Sequence, residues 1–275
     1  MTASRVDFSG VPATMLKTLH LRALDAGSAN PVLGDHHAAQ AVRRIDHDWR
    51  RLDKRGAANA AYAVALRGRI FDDLVAEFLR QHPTAVVLNL ACGLDSRAFR
   101  LQRPAGSDWF DVDLPEVVEL RRDLYAEEAR YRMLAGSVTD PRWLGELPAH
   151  RPALVVAEGL MMYLTPERNW ELLRRLTEHF DTGEVLFDGV APWVATTTQV
   201  LKGYFHRWYR SPAYLTSHRH YPGIIAETPR LRHIADVGVL SDTDAAPDPS
   251  VRRYYRIVRK LVDVEDSVRV FRTGF

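Results

Sequence analysis

The sequence lacks the features that mark several classes of protein. Its single cysteine, Cys92, can form no internal disulfide and cannot supply a zinc cluster. The formal charge is only +2, which argues against a nucleic-acid partner or an anionic membrane. The most apolar region, 153–164, is interrupted by Glu158, and the first residues carry Arg5 and Asp7 with no apolar run of signal-peptide length. These absences predict a cytoplasmic protein with no membrane or nucleic-acid partner.

Helical patterns fill the N-terminal region. Apolar side chains recur every three or four positions over 12–25 and 59–80, which is typical of amphipathic helices. A shorter helix is predicted over 35–46, where Asp35 is a suitable N-terminal cap. Pro83 then ends the region.

Strands alternate with helices after this region. Residues 85–90 (AVVLNL) are almost all apolar, as in a strand buried on both faces of a parallel sheet. The pattern predicts further strands at 108–112, 131–135, 152–159, 184–190 and 267–272, and helices at 95–101, 115–129, 166–180 and 250–262. This alternation predicts a doubly wound α/β fold with ligands beyond the carboxyl ends of the strands. The chemistry is therefore expected at 91–96, 111–113, 136–140 and 158–163.

The turn after the first predicted strand is rich in small residues. Small side chains let the backbone approach a ligand, and the helix that follows points its amides at the same place. A dinucleotide fingerprint would need glycine at 91, 93 and 96, and the chain has Ala91, Gly93 and Ser96. A pyrophosphate loop is thus poorly supported, and a tight turn without a ligand stays an alternative.

Two carboxylates follow later strands. Asp111 or Asp113 ends the second strand, where an acid can accept both hydroxyl protons of an adenosine ribose, although Asp113 can also cap the helix after Pro115. Glu158 ends the apolar fourth strand, and burial there requires a partner. A ligand and an internal arginine both satisfy that requirement.

Three motifs occur in a specific order: GLDSRAFRL (93–101), VDLPEV (112–117) and EGLMMYL (158–164). With them the chain resembles the leucine carboxyl methyltransferase family, and within it the bacterial polyketide O-methyltransferases. The resemblance covers most of 12–190 and fades over 191–250. It implies a Rossmann-like class I methyltransferase domain with a mostly parallel seven-stranded sheet and helices on both faces. The implied segments are a helical cap (1–82), a cofactor-binding core (83–190), a substrate-cap insert (191–250) and a C-terminal helix and strand that complete the sheet (251–275).

The resemblance also implies the cofactor, S-adenosylmethionine. Arg67 would hold its methionine carboxylate, Asp113 its ribose hydroxyls, and Glu158 would lie near its amino group. The full set of implied cofactor residues is Lys17, Arg67, Asn89, Ala91, Gly93, Asp113, Leu114, Ser137, Val138, Glu158 and Gly159.

The chain departs from the family pattern in the cofactor region. Asn89 and Ala91 stand where an acid and a glycine are usual, so the loop must tolerate a methyl group near the cofactor. Ser137 stands where an aspartate usually faces adenine. A serine hydroxyl can accept a hydrogen bond but adds no charge, so either Asp140 supplies the missing charge or the adenine contact is weaker.

The acceptor decides whether a base is needed. A carboxylic acid is ionised at neutral pH, whereas a phenol would benefit from a base such as His206, with Tyr163 as a hydrogen-bonding partner. His218 and His220 are further candidates, and aromatic residues over 193–222 favour a closed pocket for a small polyketide-like molecule. A protein C-terminal carboxyl methyltransferase and, less favoured, a nucleotide-binding oxidoreductase stay as alternatives. The oligomeric state stays open, a homodimer included.

Overall fold

A seven-stranded sheet forms the centre of the described residues. The computed structural model describes residues 13–52, 56–201 and 213–275. The strands are β1 (Val86–Leu90), β2 (Asp108–Asp113), β3 (Tyr131–Ala135), β4 (Ala153–Ala157), β5 (Gly183–Val190), β6 (Arg232–Gly238) and β7 (Val268–Gly274). Their order is β3-β2-β1-β4-β5-β7-β6, and β7 runs antiparallel to both of its neighbours. The predicted mostly parallel, Rossmann-like sheet is confirmed.

Helices cover both faces of this sheet. They are α1 (Ala13–Ala26), α2 (His36–Arg44), α3 (Ala57–Gln81), α4 (Arg97–Arg100), α5 (Pro115–Leu124), α6 (Pro166–His179), α7 (Pro192–Val200), α8 (Tyr221–Glu227) and α9 (Pro249–Val258). One core contains apolar residues of α6 and α8, and the other contains those of α3, α5 and α9. In β1, Leu88 belongs to the first core and Val87 to the second, because successive strand side chains point to opposite faces. This double burial explains the continuous apolar run of β1.

The helices α1 and α2 pack together at the carboxyl end of β1. Leu16 and Leu19 of α1 are buried with Ala38 and Ala41 of α2, and Leu94 of the loop after β1 joins the same cluster. Both helices were predicted, α1 from its apolar spacing and α2 from its Asp35 cap, and their packing places α1 against the loop that carries the cofactor-site candidates. No helix among the described residues is long and apolar enough to cross a membrane.

The structure differs from the sequence expectation at β6. This strand lies at the sheet edge inside residues 191–250, for which the sequence predicted only a cap insert. Its side chains are mostly exposed, Ile234 by 50%. An edge strand with little burial lacks the apolar pattern that identifies central strands, so β6 could not be predicted from that pattern. The helix predicted at 115–129 is also shorter, since α5 ends at Leu124.

Candidate active site

A cavity of about 870 Å³ opens at the carboxyl ends of the parallel strands. The loops after β1 to β4 form its floor, and α1 and α3 form walls. Its lining includes every residue for which the family resemblance implies a cofactor contact, and Tyr163 as well. The topology explains this convergence, because parallel strands bring their carboxyl ends to one edge. Their individual roles remain predictions.

The loop after β1 has left-handed backbone at two positions. Ala91 has φ 47° and Gly93 has φ 52°. A Cβ on Gly93 would lie 2.9 Å from Cγ of Met15 on α1, so glycine is required for space as well as for conformation. Ala91 lacks that freedom, and its left-handed conformation carries strain. The departure from glycine at this position therefore affects the backbone itself.

Asp113 is the strand-end acid that faces the cavity. Its two carboxylate oxygens accept hydrogen bonds from the backbone N–H groups of Gly93 (2.6 Å) and Leu114 (2.7 Å). Burial raises the pKa of Asp113, and these two donors partly offset the rise. Each oxygen keeps capacity to accept a further hydrogen bond. Asp111 instead accepts hydrogen bonds from Trp109 and Tyr131 and does not line the cavity.

Glu158 is held by three arginines. Its carboxylate contacts Nη2 of Arg22 at 2.8 Å, Nε of Arg67 at 3.1 Å and Nη2 of Arg97 at 2.6 Å. Burial raises the pKa of Glu158, but these three positive charges outweigh it and lower the pKa to about 2. The internal arginine partner that the sequence left open is therefore present, and Glu158 still borders the cavity.

The ion pairs extend behind the cavity. Asp95 contacts Arg22 at 2.6 Å, Arg97 at 2.8 Å and Arg100 at 2.8 Å, and Asp72 on α3 bonds Arg97 and Arg100 at 2.6 Å each. Sequence reasoning used the GLDSRAFRL motif for recognition only and assigned no role to its three charged residues. The sequence nevertheless shows these charges next to a buried strand, where each of them requires a partner.

Asp188 is a further functional candidate that the sequence analysis missed. It is fully buried near the end of β5, where its carboxylate accepts from Nη1 of Arg67 (2.9 Å) and from the N–H of Gly159 (2.6 Å). Like Glu158, Asp188 is an acid in an otherwise apolar strand, so the same argument identifies it from the sequence. With Nε and Nη1 of Arg67 both engaged, its Nη2 makes no hydrogen bond to another described residue.

Asn89 has a specific reason to be an amide. Its Nδ2 donates to Asp95 at 3.3 Å and to Asp111 at 3.1 Å. An aspartate could only accept and would add a third negative charge between two carboxylates. The local charge pattern thus accounts for this departure from the family.

The predicted compensation by Asp140 is wrong. Asp140 bonds Arg142 at 2.8 Å on the surface and does not border the cavity. It serves as the N-cap of a short 3₁₀ helix, which explains its orientation. Ser137 and Val138 do line the cavity, and the Ser137 hydroxyl is within 2.9 Å of the Thr139 hydroxyl.

The residues predicted to act on the methyl acceptor do not all lie at the cavity. Tyr163 borders the cavity, whereas His206 lies outside the described residues. His218 bonds Asp266 at 3.1 Å and His220 bonds Ser217, and neither lines the cavity. A hydrogen bond to Asp266 and the capping of a short 3₁₀ helix therefore account for these two histidines.

Comparisons with known proteins agree with this architecture. Residues 16–177 match leucine carboxyl methyltransferase. The tetracenomycin polyketide synthesis O-methyltransferase TcmP of Streptomyces glaucescens is 50% identical over 188 residues, which cover 68% of this chain and 69% of that protein. The S-adenosyl-L-methionine-dependent methyltransferase dpfgK of Gibberella zeae is 39% identical over 201 residues, 67% of each chain. A Thermobifida fusca crystal structure, provisionally named a methyltransferase, shares the fold with a TM-score of 0.55 at 16% identity over 93% of each chain.

The fold, the matched relatives and the strand-end cavity define an S-adenosylmethionine-dependent methyltransferase. Within that class, the chain belongs to the leucine carboxyl methyltransferase family.

Proposed function

We propose that this enzyme is an O-methyltransferase that acts on a polyketide-like small molecule, with a carboxylate as the methyl acceptor. The observation that carries the proposal is the convergence of Arg67, Asp113 and Glu158 on one cavity of about 870 Å³. A cavity of this size suits a cofactor and a small molecule. The name of the Streptomyces relative, which refers to polyketide synthesis, supports the acceptor class.

The donors and acceptors of the cavity fit S-adenosylmethionine. Asp113 has one backbone donor on each oxygen and can accept the two ribose hydroxyls as well. Nη2 of Arg67 is the part of its guanidinium not bonded to other described residues, so we assign it to the methionine carboxylate. Glu158 lies beside Arg67 and is assigned to the amino end.

The other assignments follow from position around the cavity. Ser137 and Val138 follow β3 and are assigned to the adenine side, and Lys17 of α1 faces the cavity from its wall. The remaining assigned residues are Asn89, Ala91, Gly93, Leu114 and Gly159. When bound, S-adenosylmethionine supplies an electrophilic methyl group, and the protein has to align the acceptor and exclude water.

The acceptor side of the cavity carries hydrogen-bond donors. Tyr163 and Tyr214 line it beside Arg67. Donors bind an acceptor that is already anionic, and a carboxylate needs no base at neutral pH. A phenolic acceptor would require a base, for which His206 is the candidate.

The proposal also covers the division of the chain. We assign residues 1–82 to a cap over the cofactor site, 83–190 to the core and 251–275 to completion of the sheet. Within 191–250, the segment from Tyr214 to Thr216 supports a role in covering the acceptor, because its backbone bonds to Met162 after β4.

A methyl-transfer assay tests the proposal. The purified protein is incubated with S-adenosylmethionine labelled in its methyl group and with aromatic polyketide carboxylic acids, their methyl esters, phenols without a carboxyl group, or a peptide that ends in leucine. We expect label in a base-labile methyl ester of the acids. Transfer only to the peptide, or only to phenols, would contradict the carboxylate proposal.

A further inference from the structure

Two tyrosines from distant parts of the chain meet at the acceptor side of the cavity. Tyr163 ends the 3₁₀ helix that follows β4, and Tyr214 lies between α7 and α8. Their rings pack edge to face, with centroids 5.2 Å apart and an interplanar angle of 64°. Both side chains line the cavity. Tyr214 lies beyond residue 177, where the family match ends.

The backbone around Tyr214 is fixed on both sides. Its N–H donates to the hydroxyl of Thr198 on α7 at 3.1 Å, and its carbonyl accepts from the Gln199 amide at 2.7 Å. The next residue, Leu215, donates its N–H to the carbonyl of Met162 at 2.7 Å. These bonds tie Tyr214 to the same loop that carries Tyr163. Backbone hydrogen bonds therefore hold the ring pair in place, between the segment around Tyr214 and the loop after β4.

The environment keeps the Tyr214 hydroxyl protonated. Burial raises the pKa of Tyr214, and a hydrogen bond with Tyr163 and the positive charge of Arg67 offset only part of the rise. Such a hydroxyl cannot act as a base at neutral pH. A tyrosine hydroxyl can donate one hydrogen bond and accept another, so that of Tyr214 can donate to a bound group while it accepts from Tyr163.

We propose that Tyr214 donates its hydroxyl proton in a hydrogen bond to an anionic oxygen of the acceptor, and that Tyr163 acts through Tyr214 as a positioning residue. The inference rests on the proposed function and deepens it by naming a selectivity determinant. Arg67 supplies positive charge beside the pair, and Tyr214 supplies a directed donor. A planar aromatic acid suits the site, because aromatic rings already form its wall.

The proposed roles of Tyr214 and Tyr163 predict different effects of their variants on anion binding. Tyr214→Phe removes the donor to the acceptor, whereas Tyr163→Phe removes only the group that polarises this donor. Tyr214→Phe should therefore weaken anion binding more than Tyr163→Phe. Tyr163 also lines the cavity, so the double variant shows whether it acts through Tyr214: it should then bind naphthoate no more weakly than Tyr214→Phe alone.

Calorimetry with a simple probe tests the inference. Protein saturated with S-adenosylhomocysteine is titrated with naphthoate and with its neutral analogue naphthamide. The wild type should prefer naphthoate, and Tyr214→Phe should weaken naphthoate binding by roughly fivefold to tenfold, the effect of one hydrogen bond. The matched control is Tyr62→Phe, a tyrosine on α3 that bonds the Asp242 carbonyl and does not line the cavity.

The outcomes separate this inference from the proposed function. If the wild type does not bind S-adenosylhomocysteine, the proposed function itself is contradicted. Normal S-adenosylhomocysteine binding together with unchanged naphthoate affinity in Tyr214→Phe would overturn the inference. Equal wild-type affinities for naphthoate and naphthamide, or no naphthoate binding at all, would overturn it as well, and these readings do not depend on any variant.

Discussion

Arg22 of α1 and Glu158 at the end of β4 lie 136 positions apart in the chain and form an ion pair of 2.8 Å. Both side chains are nearly inaccessible to solvent. Arg22 also contacts Asp95 after β1, so one guanidinium joins α1 to two strand ends. The helix α1 is therefore anchored by charge as well as by its apolar packing.

Replacement of Arg22 should reveal the strength of this anchor. Arg22→Met removes a partner from two buried carboxylates, and breaking a buried pair of this kind costs about 3 kcal/mol or more of unfolding free energy. Arg69→Met is the matched control, because Arg69 pairs with Asp73 on the exposed face of α3 and should cost less than about 1 kcal/mol. Urea unfolding measures both values. Equal losses would mean that the Arg22 ion pairs do not anchor α1.

The left-handed conformation of Ala91 leads to a stabilising substitution. A residue with a Cβ loses about 1–2 kcal/mol of stability in the left-handed conformation of Ala91. Glycine avoids this loss, but its greater conformational freedom in the unfolded chain offsets part of the benefit. We expect Ala91→Gly to stabilise the protein by up to about 1 kcal/mol. Ala39→Gly, in the interior of α2, should destabilise by roughly 1 kcal/mol. Thermal unfolding of both variants checks the opposite signs, and a destabilised Ala91→Gly would refute the strain.

Asn89 offers a test of the local charge pattern. Asn89→Asp would place a third carboxylate between Asp95 and Asp111, and we expect a loss of about 1–3 kcal/mol at neutral pH. Asn59→Asp is the control, since an acid in the first turn of α3 interacts favourably with the helix dipole. Chemical unfolding compares the two. A neutral effect of Asn89→Asp would mean that the site accommodates the extra charge.

Acid sensitivity should depend on Glu158. Its pKa is lowered in the folded state from 4.5 to about 2, so its contribution to stability is complete above about 4.5 and is lost as the pH falls towards 2. Glu158→Gln should therefore flatten the fall in unfolding free energy over this window. Glu178→Gln, on the exposed surface of α6, should leave the slope unchanged. Parallel slopes for wild type and Glu158→Gln would contradict the assigned pKa shift.

The sequence predicted those parts of the molecule that have strong periodicity or a specific motif. The central strand β1 and the long helix α3 are examples, because β1 is a continuous apolar run and the buried apolar residues of α3 recur at helical spacing. It did not predict β6, whose side chains are mostly exposed. Parallel strand ends also predicted that Asp113 and Glu158 would border one site.

The partners within the site were beyond the sequence. The pairing of Arg22 with Glu158 depends on how α1 docks, and the contact of Tyr214 with Tyr163 depends on the path of the chain after α7. No local pattern encodes such long-range contacts. Asp188 is different, because its position in an apolar strand was visible and was passed over.

The most direct test of the account is calorimetric titration of S-adenosylmethionine into the wild type, Asp113→Ala and Asp140→Ala. Asp113 faces the cavity, whereas Asp140 bonds Arg142 outside it. The account predicts that the wild type and Asp140→Ala bind alike and that Asp113→Ala loses binding. Undiminished binding by Asp113→Ala, or binding of NADH in place of S-adenosylmethionine by the wild type, would contradict it.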